Sequence, residues 1–284
     1  MRTTIVLFVE NIEKYCFILY TYQIPVLCLT IIIFVGVFMR PDKGKPYYTA
    51  YDKRYRAVYE QGADHWLFLP DYETIKTTVY DFVSMFRLKG RKVVDLGCGE
   101  GLGGFELAKL GCIYQGFDIS PAAINKARVL LSSYQNARVA VFDVVSEEIP
   151  RETFDAGIDI ACLHMMVTDA DRHKYLTNVF NCLIAGAPML FAHQRLENTE
   201  YNGLVKNYRQ WLKISGDDVD TPQERTAVKD GQVIPVRIPL IASRPRTEEG
   251  YRNELENHGF EIQELTKIKN TVNILVIKPN KHLS

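Results

Sequence analysis

The 284-residue chain predicts an α/β protein with a doubly wound, mostly parallel sheet of seven strands that ends in an antiparallel hairpin. Three observations carry this. Short apolar runs alternate with amphipathic helical stretches from residue 72 onward. A glycine-rich turn joins the first of these strands to the next helix, the signature of a βαβ unit. The last two strands are separated only by a short turn, so they pair with each other.

In chain order, Tyr72–Phe86 carries apolar residues at helical spacing, Lys92–Leu96 is a buried strand, 102–110 a helix and 112–117 a strand. Residues 121–131 form a helix capped by Ser120, with Pro121 at the first helical position, where its missing N–H costs nothing. Strands at 138–142 and 154–162, a helix at 170–183 and a strand at 187–192 follow. Thr247 caps a helix reaching about Asn257, with Glu248 and Glu249 facing the positive end of its dipole. Strands at 260–267 and Thr271–Ile277 complete the sheet.

Residues 194–246 form an insertion too long for a simple connector, and we expect a substrate lid there. Tyr201, Leu204, Val205, Tyr208, Trp211 and Leu212 predict one apolar face of a helix capped by Thr199. Asp230-Gly231 between residues 226–229 and Gln232–Ile238 predicts a two-residue hairpin, and Pro235 suits only an edge strand.

Composition excludes several classes. Lys plus Arg and Asp plus Glu are each 34, so there is no basic excess for a nucleic-acid backbone and no nucleic-acid partner is expected. The 6 cysteines contain no C-x-x-C pair, which argues against a zinc cluster or a disulfide framework and leaves no metal site. Residues 15–39 are almost wholly apolar; as a helix they span about 37 Å, enough for a hydrocarbon core of about 30 Å. Arg40, Lys43, Lys45, Lys53, Arg54 and Arg56 follow, against Arg2 and Lys14 before, so the expectation is a single-pass membrane protein with a cytoplasmic catalytic domain. Translation from Met39 would instead give a soluble cytoplasmic protein. The expected organisation is an anchor over 1–40, a helical cap over 41–89, a cofactor-binding core over 90–193, the insertion, and a closing helix and hairpin over 247–284.

Gly97, Gly99 and Gly101 lie between the first strand and the next helix, where bare backbone admits a close ligand and the helix start attracts negative charge. Asp118 ends the following strand, at the spacing of a ribose-binding carboxylate. Gly99-x-Gly101-x-x-Gly104 also fits a dinucleotide fingerprint.

The run Asp95-Leu-Gly97-Cys-Gly99-Glu-Gly101, followed in order by GFDIS at 116–120, VFDV at 141–144, FDAGIDIACLHMM at 154–166, APMLFAH at 187–193 and HGFEI at 258–262, resembles the class I S-adenosylmethionine-dependent methyltransferases, of the small-molecule type 11/25 kind. The resemblance covers roughly 47–193 and 247–278 and implies a Rossmann-like methyltransferase fold with S-adenosyl-L-methionine as cofactor. It implies that Gly97, Gly99 and Gly101 cradle the methionine part while Asp95 supports the loop. Asp118 would take the ribose hydroxyls, Ile119 would pack on adenine, Asp143 would bond its amino group, and Val144 would line its plane. The implied reaction moves a methyl group to a small-molecule O, N or S acceptor.

In-line methyl transfer needs alignment, desolvation and, for some acceptors, a base. Acceptor chemistry belongs at the C-terminal ends of the fourth and fifth strands. His164 is thus the first candidate for substrate contact or general base, and Asp159, a carboxylate inside the fourth strand, would steady His164 or the cofactor's ammonium. The aromatic stretch from Tyr47 to Trp66 would fold over the cofactor. Two other readings stand beside this one: a nicotinamide-dependent oxidoreductase using the same glycine loop, and a cofactor-binding, non-catalytic membrane adaptor.

Overall fold

The structure, a computed structural model, describes residues 46–66 and 72–280. After a 3₁₀ turn at Tyr47–Thr49 come α1 (Ala50–Glu60), β1 (His65–Trp66), α2 (Tyr72–Phe86), β2 (Lys92–Leu96), α3 (Leu102–Lys109), β3 (Ile113–Asp118), α4 (Pro121–Leu130), β4 (Ala137–Val141) and β5 (Ala156–Ile160). A second 3₁₀ turn, Leu163–Met165, leads into α5 (Asp169–Cys182), β6 (Pro188–Arg195), α6 (Tyr208–Ser215), β7 (Gln223–Lys229) and β8 (Gln232–Ile238). The chain closes with α7 (Glu248–Asn257), β9 (Glu261–Ile268) and β10 (Thr271–Ile277).

The seven strands of the main sheet run in the order β4-β3-β2-β5-β6-β10-β9. The first five are parallel, and β10 lies antiparallel to both β6 and β9. Alternate residues enter opposite cores: Val94 and Leu96 of β2 join Met189 and Phe191 of β6 under α5 and α7, while Val93, Ile158 and Leu190 pack beneath α2 and α3. Covering both faces explains why these strands read as apolar runs instead of alternating. The expected caps are present: Ser120 Oγ accepts from Ala123 N, and Thr247 Oγ1 accepts from Gly250 N.

The insertion departs from expectation. No helix starts at Thr199; α6 starts at Tyr208, with Asn207 as N-cap accepting from Gln210 N. The backbone at Val205 is used elsewhere: its N–H donates to Asp169 Oδ2 at 2.6 Å and its carbonyl accepts from Asp169 N at 3.1 Å. These non-local bonds hold the segment irregular despite its helical spacing of apolar residues. The Asp230-Gly231 hairpin forms, with φ of 49° and 74° at the two turn residues, and Pro235 lies on the outer strand of a second sheet ordered β1-β7-β8. β1 comes from the N-terminal cap, pairing His65 with Val228 and Trp66 with Ala227. Gln61 reinforces the join, donating to Arg237 O at 2.9 Å and accepting from Arg237 N at 2.8 Å.

The anchor expected over 15–39 lies outside the described residues. Among the described residues no helix is long and apolar enough to cross a membrane.

Candidate active site

A cavity of about 500 Å³ opens over the C-terminal ends of β2, β3, β4 and β5, roofed by α1 and by parts of the insertion. Its floor is the turn after β2. Gly97 N and Cys98 N donate to Phe117 O at 2.8 and 3.0 Å, tying that turn to β3. Gly97 and Gly99 have φ of 74° and 53°, and a side chain at Gly99 would put its Cβ 2.6 Å from Tyr55 Oη. At Gly97 a Cβ would strike Cys162 Sγ. Both positions therefore need glycine for conformation and for space. Gly101 differs: it does not line the cavity, and a Cβ there would meet Ala127 of α4 at 3.0 Å. Its left-handed backbone starts α3 against α4, so its need for glycine is one of packing.

Asp118 ends β3 on the cavity wall. Its Oδ2 accepts from Gly99 N at 2.9 Å and its Oδ1 from Ser120 N at 2.8 Å. A carboxylate offers about four acceptor sites, so each oxygen keeps one for a ligand hydroxyl. Burial pushes its pKa up to about 6. Asp95 Oδ2 accepts from Tyr114 Oη at 3.0 Å, while Oδ1 is buried without a hydrogen-bond partner, and burial lifts the group to about 7. An orphaned buried oxygen is costly unless something fills the cavity beside it. Together with the glycine cradle and the open sites on Asp118, it matches a ligand bearing an ammonium and vicinal hydroxyls, as S-adenosylmethionine does.

Ile119 and Val144 line the same cavity. Asp143 does too, but all four of its acceptor sites are taken: Oδ1 by Val145 N and Ser146 N, Oδ2 by Tyr48 Oη at 3.1 Å and Ser146 Oγ at 2.6 Å. The expected contact with an adenine amino group would require one of these donors to leave.

Asp159 does not reach the cavity. It is wholly buried, and its oxygens accept from Cys162 N at 2.7 Å, Leu163 N at 2.9 Å, Tyr175 Oη at 2.6 Å and Gln194 Nε2 at 3.0 Å. No acceptor site is left for a cofactor ammonium. The carboxylate instead shapes the turn after β5 and reaches His164 through Gln194. That amide is oriented by three acceptors around its Nε2, which leaves Oε1 facing His164 Nδ1 at 3.1 Å. Gln194 Oε1 can only accept, so this contact favours the proton on Nδ1 and the lone pair on Nε2 over the longer 3.4 Å approach of Arg195 N to Nδ1. His164 lines the cavity, and burial holds its pKa down to about 4, so the ring is neutral at pH 7.

Sequence reasoning missed Gln194 and Glu100, gave Arg54 only as one of the basic residues after the apolar run, and placed Tyr51 in the aromatic stretch without a role of its own. Glu100 accepts from Tyr59 Oη at 2.7 Å and from Trp66 N, latching the cap to the glycine turn, and burial raises it to about 7. Tyr51 and Arg54 lie one helical turn apart on α1 inside the expected aromatic stretch, and that spacing was the available signal. The insertion supplies Arg225, Leu240 and Ile241 to the cavity wall.

Residues 93–186 match the family described as a methyltransferase domain. The ubiquinone biosynthesis O-methyltransferase of Acinetobacter baylyi is 32% identical over 79 residues, 28% of this chain and 33% of that protein. The chain thus matches about a third of the length of this curated relative. A crystal structure of Burkholderia thailandensis 1,6-didemethyltoxoflavin-N1-methyltransferase, with bound 1,6-didemethyltoxoflavin and S-adenosylhomocysteine, is similar at a TM-score of 0.50 and 14% identity, covering 79% of this chain and 82% of that one. The [4+2]-cyclase SpnF is similar at a TM-score of 0.58 and 13% identity, covering 83% and 97%. At such identities the structural likeness speaks for the fold alone.

Proposed function

We propose that this chain, whose residues 93–186 match a methyltransferase domain, is a class I S-adenosylmethionine-dependent methyltransferase that transfers a methyl group from that cofactor to a small-molecule O, N or S acceptor. The observation that carries the reading is the pair of carboxylates around the glycine turn: Asp118 with one open acceptor site on each oxygen, and Asp95 with a buried oxygen awaiting a donor. Asp118 would hold the ribose, Asp95 the ammonium, and Gly97 and Gly99 would let the amino-acid part lie against bare backbone. Ile119 and Val144 would flank the adenine. When bound, the cofactor supplies an electrophilic methyl group on a sulfonium. The chain's share of the chemistry is to align the acceptor, exclude water and take a proton at His164 Nε2, with Gln194 and Asp159 as positioning residues.

The nicotinamide reading is disfavoured by topology. A dinucleotide-binding sheet continues with a parallel strand at the place where antiparallel β10 lies beside β6. Calorimetry separates the two: we expect S-adenosylmethionine to bind and NAD not to. Asp118→Ala should weaken S-adenosylmethionine by about 150-fold or more, since two charge-assisted hydrogen bonds are each worth about 1.5–3 kcal/mol. Unchanged affinity in that variant would remove the assignment, and binding without turnover on any acceptor class would favour the adaptor reading.

The same proposal includes an anchor over residues 15–39 and a cytoplasmic catalytic domain, supported by the apolar run and the basic residues that follow it. Full-length protein should stay in the membrane pellet through carbonate extraction; release to the supernatant would refute the anchor.

A further inference from the structure

Among the described residues, four buried side-chain atoms have no hydrogen-bond partner: Tyr51 Oη, Arg54 Nε, Asp95 Oδ1 and Arg246 Nε. The first three belong to residues that line the one cavity described above. Asp95 is explained by a cationic ligand group; Tyr51 and Arg54 are donors and call for the opposite. Arg54 is only 8% exposed, and among the described residues no carboxylate pairs with it. Its guanidinium lies 4.4 Å from the Trp66 ring centroid and 5.7 Å from that of Tyr51, contacts that satisfy its flat face, while its Nε–H finds no acceptor. The charge that bears on it is another guanidinium, Arg225 of β7, which disfavours its protonated form further. Arg195, also on the wall, differs in having Glu197 at 3.5 Å. A buried guanidinium without a counter-charge, facing a second one, is costly, and an anion between or beside them would offset that cost.

The position along α1 indicates which ligand supplies it. Tyr55 is turned toward Asp118 and Glu100, on the cofactor side, and Tyr48 bonds Asp143. Tyr51 instead neighbours Cys162 after β5 and Tyr208 of α6, and Arg54 lies between Tyr55 on one hand and Arg225 of the insertion on the other. Tyr51 and Arg225 thus carry this donor set from the cofactor side toward the turn after β5 and the insertion, where an acceptor would lie. Resting on the methyltransferase reading for the identity of the cavity, we propose that Arg54, with Tyr51 and Arg225, is the receptor for a carboxylate carried by the methyl acceptor, so that the substrates are small organic acids. Arg54 supplies the paired N–H fork suited to a carboxylate, Tyr51 a third donor, and Arg225 the charge that closes the mouth.

The cofactor's own α-carboxylate is the other source of the same chemistry, and the experiment separates them. Benzoate and its neutral analogue benzamide are titrated into the full chain, with and without saturating S-adenosylhomocysteine, following tryptophan fluorescence. Trp66, stacked on Arg54, and Trp211 both contribute to that signal, and only the Trp66 share should respond to Arg54. Benzoate should bind and benzamide should not. Arg54→Gln should weaken benzoate at least tenfold, Arg54→Lys less, and Arg225→Gln by a few fold. Calorimetry on Arg54→Gln should leave S-adenosylhomocysteine and 5′-methylthioadenosine, which lacks the amino-acid part, within threefold of the parent. Equal response to benzamide, no response to benzoate, or a benzoate affinity indifferent to Arg54 overturns the proposal. So does a tenfold loss of S-adenosylhomocysteine with 5′-methylthioadenosine untouched, which would give the guanidinium to the cofactor. If Arg54→Gln does not fold, Arg54→Lys and the surface variant Arg225→Gln decide. Failure of the parent protein to bind S-adenosylhomocysteine would sink the methyltransferase reading, while the benzoate series without it would still test Arg54.

Discussion

Around one cavity, burial shifts Asp95 and Asp118 upward and His164 downward, so that all three are held toward their neutral forms. Burial raises Asp95 to about 7 and Asp118 to about 6, so the folded protein retains protons that the unfolded chain gives up. Their contribution to stability is complete below the ordinary carboxylate pKa of about 4 and is lost as pH rises through 6 and 7. A cation bound beside them needs the ionised forms. Affinity for S-adenosylmethionine should therefore climb about tenfold or more between pH 5.5 and 8, and Asp95→Asn should flatten that climb, as calorimetry at several pH values would show. His164, held down to about 4, is already neutral across this range, so the climb belongs in cofactor binding, with kcat nearly flat. His164→Ala should lower kcat about a hundredfold while the cofactor Kd stays put. At this scale the sequence made Asp118 legible, because strand end and spacing are local properties. It could not show that Asp159 and Asp143 are saturated by their neighbours, since Tyr175, Gln194 and Tyr48 reach them across the fold.

Among elements, α1 and the turn before it form a strap with one tie to the segment following each of four strands. Tyr47 Oη accepts from Val167 N beyond β5, Tyr48 donates to Asp143 after β4, Asp52 accepts from Ser120 Oγ and Ala122 N after β3, and Tyr59 donates to Glu100 after β2. Small-molecule sites under such covers commonly turn over at the rate the cover moves. Tyr59→Phe combined with Asp52→Ala should raise KM and change kcat together and speed cleavage of α1 by protease, with little change in the melting of the sheet. The capped helices α4 and α7 and the hairpin at Asp230-Gly231 could be read from sequence because a side chain and a backbone two or three residues apart decide them. The start of α6 could not, because Asp169, 36 residues earlier, decides the backbone at Val205.

For the whole molecule, one buried ion pair joins the parallel half of the sheet to its closing segment. Arg172 of α5 donates to Glu254 of α7 at 2.6 and 2.5 Å, with the arginine 1% exposed, and the pair holds Glu254 down to about 2. Glu254→Gln leaves the buried guanidinium without its counter-charge and should cost about 3–5 kcal/mol, measured by urea unfolding. The lowered pKa means this stabilisation is present above the ordinary glutamate value and fades as pH falls toward 2. The mostly parallel sheet and its closing hairpin were legible in the alternation of segments, whereas the second sheet was not, because β1 has two residues and finds β7 only through long-range pairing.

That second sheet has a mechanical result. Since β1 belongs to the N-terminal segment and β7 to the insertion, and Gln61 clips the first to Arg237, roof and side wall are parts of one jaw. Neither half can swing clear of a bound molecule by itself. Trimming the insertion would slacken the N-terminal segment as well, and a loss of cofactor retention in such a truncation would say nothing about contacts made by the deleted residues.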